Sequence, residues 1–231
     1  MRLLDALLAF GVYLGLQFIV GIVVAIAVAA SMGISSQGEL EAAVTSPGSI
    51  LVLVTVAAVA AFSGVGLVAL VRKLDLASLG LRPTSGRWLL AGVGVCALGL
   101  AVNLLVVSLY VWASGDTADP QAALMGAALR GSTWQFLLML LIGGLLVPIG
   151  EELLFRGILF AWLRRWGLPL SVAVSSLIFG IFHGFSIVFV AAAILGAMLA
   201  LLYEWSGSLW PPIIAHASNN LFSFAVERLL Q

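Results

Sequence analysis

The chain has 231 residues, of which 63% are hydrophobic and only 9% are charged. A soluble domain carries roughly 25% charged residues, so this composition excludes an ordinary water-soluble fold and indicates an integral membrane protein. The ten basic and ten acidic residues cancel, so no excess of positive charge points to a nucleic-acid partner.

The predicted elements are transmembrane helices. Lipid cannot satisfy backbone N–H and C=O groups, and uninterrupted apolar runs of about 20 residues fit helices rather than the strands of a barrel. The sequence therefore predicts an all-α, polytopic transmembrane helical bundle. We expect seven spans, or eight if the long fourth run splits, within residues 7–30, 50–71, 88–112, 134–163, 170–184, 186–204 and 209–228.

The linkers between these runs differ in charge, and this difference predicts the orientation. Basic residues concentrate in the linkers 72–87 and 164–169, whereas the linkers 31–49 and 113–133 hold a single arginine. The acidic residues of the latter two linkers are Glu39, Glu41, Asp116 and Asp119. Because cytoplasmic loops carry an excess of Lys and Arg, we expect the N-terminus to be cytoplasmic.

Two of the later runs are irregular. The fourth contains Pro148 and Gly150, which predicts a kink or a break in that helix. The fifth is short and ends at His183 and Gly184, so we expect its final turn to lie within the thickness of the membrane.

The second half of the chain places ionisable groups among apolar residues. Glu151, Glu152 and Arg156 lie in the fourth run, and the only two histidines, His183 and His216, lie in the runs that follow. Ionisable groups at bilayer depth are costly and are functional candidates by default. The sequence thus predicts a polar site inside the C-terminal half.

Helix geometry predicts that the polar residues share one layer. Counted from the cytoplasmic ends of their spans, Glu151 and His183 lie roughly 20 Å deep at 1.5 Å per residue. His216 and Asn220 lie roughly 12 and 18 Å deep on the same scale. We therefore expect these four residues, which come from three helices, to meet.

Their spacing along each helix suggests separate tasks. Glu152 and Arg156 are four residues apart, so they share a face and can form an ion pair. Glu151 is turned about 100° away, which makes it the candidate general base. His216 and Asn220 also share a face, and their N–H groups could form an oxyanion hole. Structural polar contacts, or a proton relay in a transporter, would use the same residue types.

Three other features have simpler interpretations. Gln17 and Asn103 are expected to make hydrogen bonds between helices. Glu204 is expected to be a solvated acid at a helix end. The Gly92-x-Gly94 pattern is typical of helix packing in membranes.

These residues fall into three motifs that resemble a known family. Glu151 to Arg156 is similar to the EExxxR motif of the CAAX-protease and bacteriocin-processing (CPBP, or Abi) family, Phe179 to His183 to its FxxxH motif, and His216 to Asn220 to its HxxxN motif. The resemblance covers roughly residues 134–227. It implies a catalytic transmembrane domain at 134–227, preceded by three spans and their linkers at 1–133.

The resemblance also implies a CAAX-type intramembrane endopeptidase in the plasma membrane of a prokaryote. Glu151 and His183 would activate water, His216 and Asn220 would stabilise the oxyanion, and Glu152 and Arg156 would support the site. No cofactor is favoured. The alternative is Zn²⁺ or another divalent metal ion, bound by Glu151, His183 and His216.

The implied partners are the lipid bilayer and a membrane-associated peptide or protein substrate, which could be lipidated. No nucleic acid is expected. Two other functions remain open: a non-catalytic bacteriocin-immunity or scaffold protein, and a small transporter with a Glu/His relay.

Overall fold

The computed structural model describes residues 1–115 and 120–230, and this part of the chain is helical with no strands. The predicted all-α class is therefore confirmed. Asp116 and Asp119, which contributed to the predicted orientation, lie outside the described residues. Nine helices follow in chain order within the described part: α1 (Leu3–Met32), α2 (Gln37–Val44), α3 (Pro47–Arg72), α4 (Gly86–Ser114), α5 (Pro120–Leu129), α6 (Thr133–Trp166), α7 (Leu168–Ile181), α8 (Ile187–Ser206) and α9 (Trp210–Leu229).

Five of these helices, α1, α3, α4, α6 and α8, are long and apolar enough to cross a membrane. They correspond to five of the seven predicted spans. The helix α7 is apolar but has only 14 residues, or about 21 Å at 1.5 Å per residue. The helix α9 has 20 residues and carries the polar His216-to-Asn220 segment. Seven or eight spans therefore stay a prediction.

Short helices occupy the linkers in which none was predicted. Ser36 caps α2 by accepting a hydrogen bond from the backbone of Glu39, and α5 precedes α6. Ser132 caps α6 in a reciprocal arrangement with Gln135. A serine at such a position satisfies backbone N–H groups that a helix leaves free at its start.

The helix α6 is irregular at Pro148, but it does not break there. The chain forms a π-helical turn over Ile142–Leu146 and a second π-helical segment over Leu153–Phe160, with α-helix between them. The N–H of Val147 bonds to the carbonyl of Ile142, one residue farther back than in an α-helix. Of the predicted kink or break, the break therefore does not occur: the widened turn accommodates a proline without ending the helix.

Pro148 removes one backbone donor from this widened turn. Because Val147 bonds to Ile142, the next N–H in the same register would come from Pro148 and would reach Gly143. Proline has no N–H. The side chain of Asn220 supplies the missing donor, with its Nδ2 3.3 Å from the Gly143 oxygen.

One end of the bundle gathers the basic linkers. Arg165 donates to the carbonyl of Met1 at 2.8 Å, and Arg164 pairs with Glu204 at 2.7 Å. The linker between α3 and α4 lies at the same end, because its Gly80 carbonyl accepts a hydrogen bond from the backbone N–H of Leu209. We call this the arginine-rich end. The N-terminus and both basic linkers lie together, as the predicted orientation requires, and Glu204 is an ion-pair partner rather than an isolated solvated acid.

The opposite end joins the start of α6 to the end of α9. Arg228 donates to the carbonyls of Leu129 and Gly131 at 2.6 and 3.1 Å. The start of α3 lies nearby, because Gly48 is close to the side chain of Gln135. The long helices thus run between these two ends in alternating directions.

A core of aromatic rings joins the two halves of the chain. Phe10 of α1 packs edge-on against Phe155 of α6 and Phe182 beyond α7, with centroids 5.2 and 5.7 Å apart. Phe155 in turn contacts Phe179 at 5.0 Å. The division at residue 133 stays a prediction, and the core runs through both sides of it.

The pair Gly92 and Gly94 provides a matched test of this packing. A Cβ at Gly92 would lie 2.6 Å from the carbonyl oxygen of Pro211, whereas a Cβ at Gly94 would meet nothing within 4 Å. We expect Gly92→Ala to force α4 and α9 apart and to cost about 1–3 kcal/mol of unfolding free energy. Gly94→Ala should be neutral or slightly stabilising, since alanine favours helix more than glycine does. Denaturant unfolding in detergent measures both, and equal effects would contradict the close approach.

Candidate active site

The four predicted site residues line one cavity of about 480 Å³ inside the bundle. Glu151 comes from α6, His183 from the turn after α7, and His216 and Asn220 from α9. The remaining walls come from α1, α3, α4, α5 and α8. The structure therefore brings together the residues that the depth argument placed in one layer. Their catalytic roles stay predictions.

Glu152 and Arg156 form a fully buried ion pair. The two atoms Glu152 Oε1 and Arg156 Nη1 are 2.8 Å apart, and their side chains are 0% and 1% exposed. Arg156 also donates through Nη2 to the carbonyl of Gly196 at 2.9 Å, and its guanidinium lies 4.6 Å from the centroid of the Phe179 ring. This pair thus connects α6 to α7 and α8.

The same carboxylate also holds the second histidine. His216 Nδ1 lies 2.9 Å from Glu152 Oε1, and its ring is 2% exposed. Since a carboxylate only accepts hydrogen bonds, Nδ1 is the protonated nitrogen of this contact. The other ring nitrogen, Nε2, lies 3.7 Å from Glu151 Oε2. Sequence spacing predicted the Glu152–Arg156 pair but not the bond from Glu152 to His216.

The first histidine is oriented by the end of its own helix. The helix α7 ends at Ile181, so His183 lies in the following turn rather than on the helix as predicted, and Gly184 has a positive φ of 91°. His183 Nδ1 donates to the Phe179 carbonyl at 2.8 Å, one of the acceptors that a helix leaves free at its C-terminus. The Nε2 atom of His183 is left for other partners.

Phe179 packs between the two imidazoles. Its ring centroid lies 4.5 Å from that of His183 and 5.6 Å from that of His216. It is 0% exposed. The contact with His183 joins residues only four apart in the chain, whereas the contact with His216 requires the tertiary fold.

Asn220 is held at the widened turn of α6. One N–H of its amide is used by the Gly143 carbonyl at 3.3 Å. An amide nitrogen carries two N–H groups, so a second donor remains for a ligand in the cavity.

The cavity extends from Glu151 towards the end opposite the arginine-rich end. On α6 its lining continues from Glu151 back through Val147 and Gly143 to Met139. On α9 it runs from His216 forward to Phe224. The part of α6 between Glu152 and Trp166 contributes nothing to this lining among the described residues.

The N-terminal helices contribute polar groups that were not predicted as site residues. Tyr13, Gln17 and Asn103 line the cavity, as does Asn219 beside Asn220. Gln17 Nε2 bonds to the Tyr13 carbonyl of its own helix at 3.4 Å, so the predicted interhelical bond of Gln17 is wrong. In the sequence, the only signal that could have linked Tyr13, Gln17 and Asn103 to the site is their depth along α1 and α4.

The predicted metal ligands Glu151, His183 and His216 line the same cavity. Among the described residues, no group of three or more His, Cys, Asp or Glu side chains is placed to hold a metal ion. Each histidine has its Nδ1 engaged by the protein, an arrangement that also orients histidines whose Nε2 binds a metal ion. The metal-bound alternative stays a prediction.

Comparison with known proteins gives a family for the second half of the chain. Residues 133–222 match the family described as type II CAAX prenyl endopeptidase Rce1-like. All three motifs lie inside this match. The resemblance noted from those motifs is thereby confirmed.

Three bacterial proteins are similar in sequence. "Putative membrane peptidase YdiL" of Bacillus subtilis is 28% identical over 58% of this chain and 53% of its own length. "Uncharacterized protein YpbD" of the same organism is 34% identical over 31% of this chain and 36% of its own length. "UPF0177 protein YxdF" of Lactococcus lactis is 32% identical over 38% of this chain and 49% of its own length.

The chain thus covers about half or less of the length of each of these relatives, and no solved structure matches it. The family match and the apolar helices together indicate an integral membrane protein of a protease family. Residues 133–222, which carry every motif residue around the cavity, are thus similar to the Rce1-like family of type II CAAX prenyl endopeptidases.

Proposed function

We propose that this protein is an intramembrane endopeptidase that hydrolyses a peptide bond with water activated by Glu151 and His183. The observation that carries this proposal is the convergence of Glu151, His183, His216 and Asn220 on one cavity inside the bundle. The family of residues 133–222 supports the same class of reaction.

Glu151 is the proposed general base. Its neighbour Glu152 is occupied by Arg156 and His216, whereas Glu151 faces the cavity with His216 Nε2 at 3.7 Å. A water molecule between Glu151 and His183 Nε2 would donate one proton to the carboxylate as its oxygen attacks the carbonyl carbon. The same carboxyl then returns the proton to the nitrogen as the C–N bond breaks.

Asn220 and His216 are the proposed oxyanion donors. Asn220 keeps one amide N–H for this purpose after its bond to Gly143. His216 already donates through Nδ1 to Glu152, so it must be doubly protonated to donate through Nε2 as well.

Glu152 and Arg156 are proposed to position this machinery. The pair fixes His216 through Glu152 and lies against Phe179 through Arg156. Neither group lines the cavity. Their role is therefore to hold the reacting groups in place rather than to touch the substrate.

The proposed substrate is a membrane-associated peptide or protein. The cavity wall is largely apolar, with Met125, Met139 and Leu195 among its residues. A lipid-modified peptide, the class that the family description names, would suit such a wall.

We further propose that the substrate enters from outside the cytoplasm. The cavity lies on the side of Glu151 away from the arginine-rich end. Positive loops favour the cytoplasm, so we infer that the N-terminus lies inside and that the cavity extends towards the outside.

The first prediction concerns the general base. We expect Glu151→Gln and His183→Ala each to lower cleavage at least about 100-fold, because loss of a general base removes that much rate. The measurement compares new peptide termini by mass spectrometry in membranes from cells that express each variant. Glu204→Gln, which alters an exposed ion pair outside the cavity, is the control. Termini that persist in both site variants would contradict the proposal, and a wild type that produces none would favour a scaffold.

A second prediction separates the two adjacent glutamates. Glu152→Gln leaves Arg156 buried without its counter-ion and should cost about 3–5 kcal/mol of unfolding free energy. Replacing both partners, as Glu152→Gln with Arg156→Met, should recover part of this loss, whereas Glu151→Gln should change stability little. Denaturant unfolding in detergent measures all three. Equal losses from the two single glutamate variants would show that the division of roles is incorrect.

A third prediction tests the orientation. In a Cys96→Ser background, Gln37→Cys in α2 should react in intact cells with a maleimide that cannot cross membranes. Leu76→Cys, which is 66% exposed in the linker after α3, should react only after the cells are opened. The reverse pattern would place the end towards which the cavity extends in the cytoplasm.

A further inference from the structure

The first helix supplies a polar strip to the cavity, although it lies outside the segment that matches the family. Tyr13 and Gln17 are one turn apart on α1, and both line the cavity. Tyr13 is only 4% exposed, and Glu151 lines the same cavity. A hydroxyl and a primary amide are thus presented to the cavity that contains the proposed base.

The Tyr13 ring is fixed by its neighbours. It stacks on Phe182 with centroids 5.6 Å apart and an interplanar angle of 29°, and it meets Phe10 edge-on at 6.5 Å. Phe182 immediately precedes His183 in the chain. The position of the Tyr13 hydroxyl is therefore linked to the turn that carries the proposed catalytic histidine.

The polar groups of this region suit a peptide backbone. Tyr13, Gln17, Asn103 and Asn219 are neutral groups that both donate and accept hydrogen bonds. A substrate that is extended for cleavage loses its internal helix bonds, and lipid offers no replacement for them. These four side chains carry no charge, so the chemistry favours a segment with uncharged side chains.

We propose that Tyr13 and Gln17 bind the backbone of an extended, uncharged peptide segment beside Glu151. This inference rests on the proposed peptidase function and makes the first helix a substrate-positioning element. Peptide binding should therefore depend on the hydroxyl of Tyr13 and not on its ring.

Binding can be measured without cleavage in the full-length Glu151→Gln protein. The probe is a short fluorescent peptide of alternating leucine and alanine with blocked ends, in lipid nanodiscs, followed by fluorescence polarisation. Tyr13→Phe and Gln17→Leu should each weaken binding about five- to tenfold, the effect of one lost hydrogen bond. An analogue with N-methylated backbone amides should bind the parent protein more weakly. This difference should be smaller in the double variant that combines Tyr13→Phe and Gln17→Leu.

The control is Tyr203→Phe, which removes a hydroxyl near Gly80 at the arginine-rich end, outside the cavity. Tyr13→Phe keeps the ring and its packing, and its unfolding curve checks the fold. With Glu151 intact, the variants should raise KM for a cleaved peptide and leave kcat nearly unchanged. A purely structural role for Tyr13 would not raise KM while leaving kcat nearly unchanged.

Unchanged affinity in both Tyr13→Phe and Gln17→Leu overturns the inference. So does the absence of probe binding to the parent protein, or an N-methylation effect that is as large in the double variant as in the parent protein. If the wild type cleaves peptides but binding does not change in the Tyr13 and Gln17 variants, only the role of Tyr13 and Gln17 is refuted. The expected binding pattern without any cleavage by the wild type would refute only the peptidase function.

Discussion

The candidate site depends on one buried oxygen atom. Glu152 Oε1 accepts from Arg156 at 2.8 Å and from His216 at 2.9 Å, so it joins two motifs that are 64 residues apart. Burial of an ion pair is costly, and apolar residues of similar size would often be as stable or more so. The interaction is therefore better explained by the position that it gives to His216 than by any gain in stability.

A second constraint comes from the backbone of α6. Pro148 cannot donate a hydrogen bond, and in lipid an unpaired carbonyl is expensive. The π-helical turn and the Asn220 side chain together resolve this problem at Gly143. The same contact fixes Asn220 at the edge of the cavity. One hydrogen bond thus both satisfies the Gly143 carbonyl and positions a proposed catalytic donor.

The helical class and the meeting of the polar residues could be predicted because they follow from local rules. Apolar runs predict helices, the four-residue spacing predicts the Glu152–Arg156 pair, and 1.5 Å per residue predicts a common depth. The π-helical turn could not be predicted from Pro148 alone, because a proline is compatible with a break, a kink or a widened turn. The bond from Glu152 to His216 depends on how α6 and α9 rotate against each other, which spacing within one helix does not specify. The roles of these residues also remain predictions.

The first helix shows most clearly why motifs underdetermine a site. Every motif residue lies in the second half, yet the cavity between them has a wall from α1 and α4. Gln17 and Asn103 each lie between apolar stretches of a long helix, and that pattern also fits a hydrogen bond between helices. Only the fold shows that they face the space beside Glu151. A motif can identify the groups that react. The groups that position a substrate depend on how the remaining helices pack around the cavity, and a motif does not describe that packing.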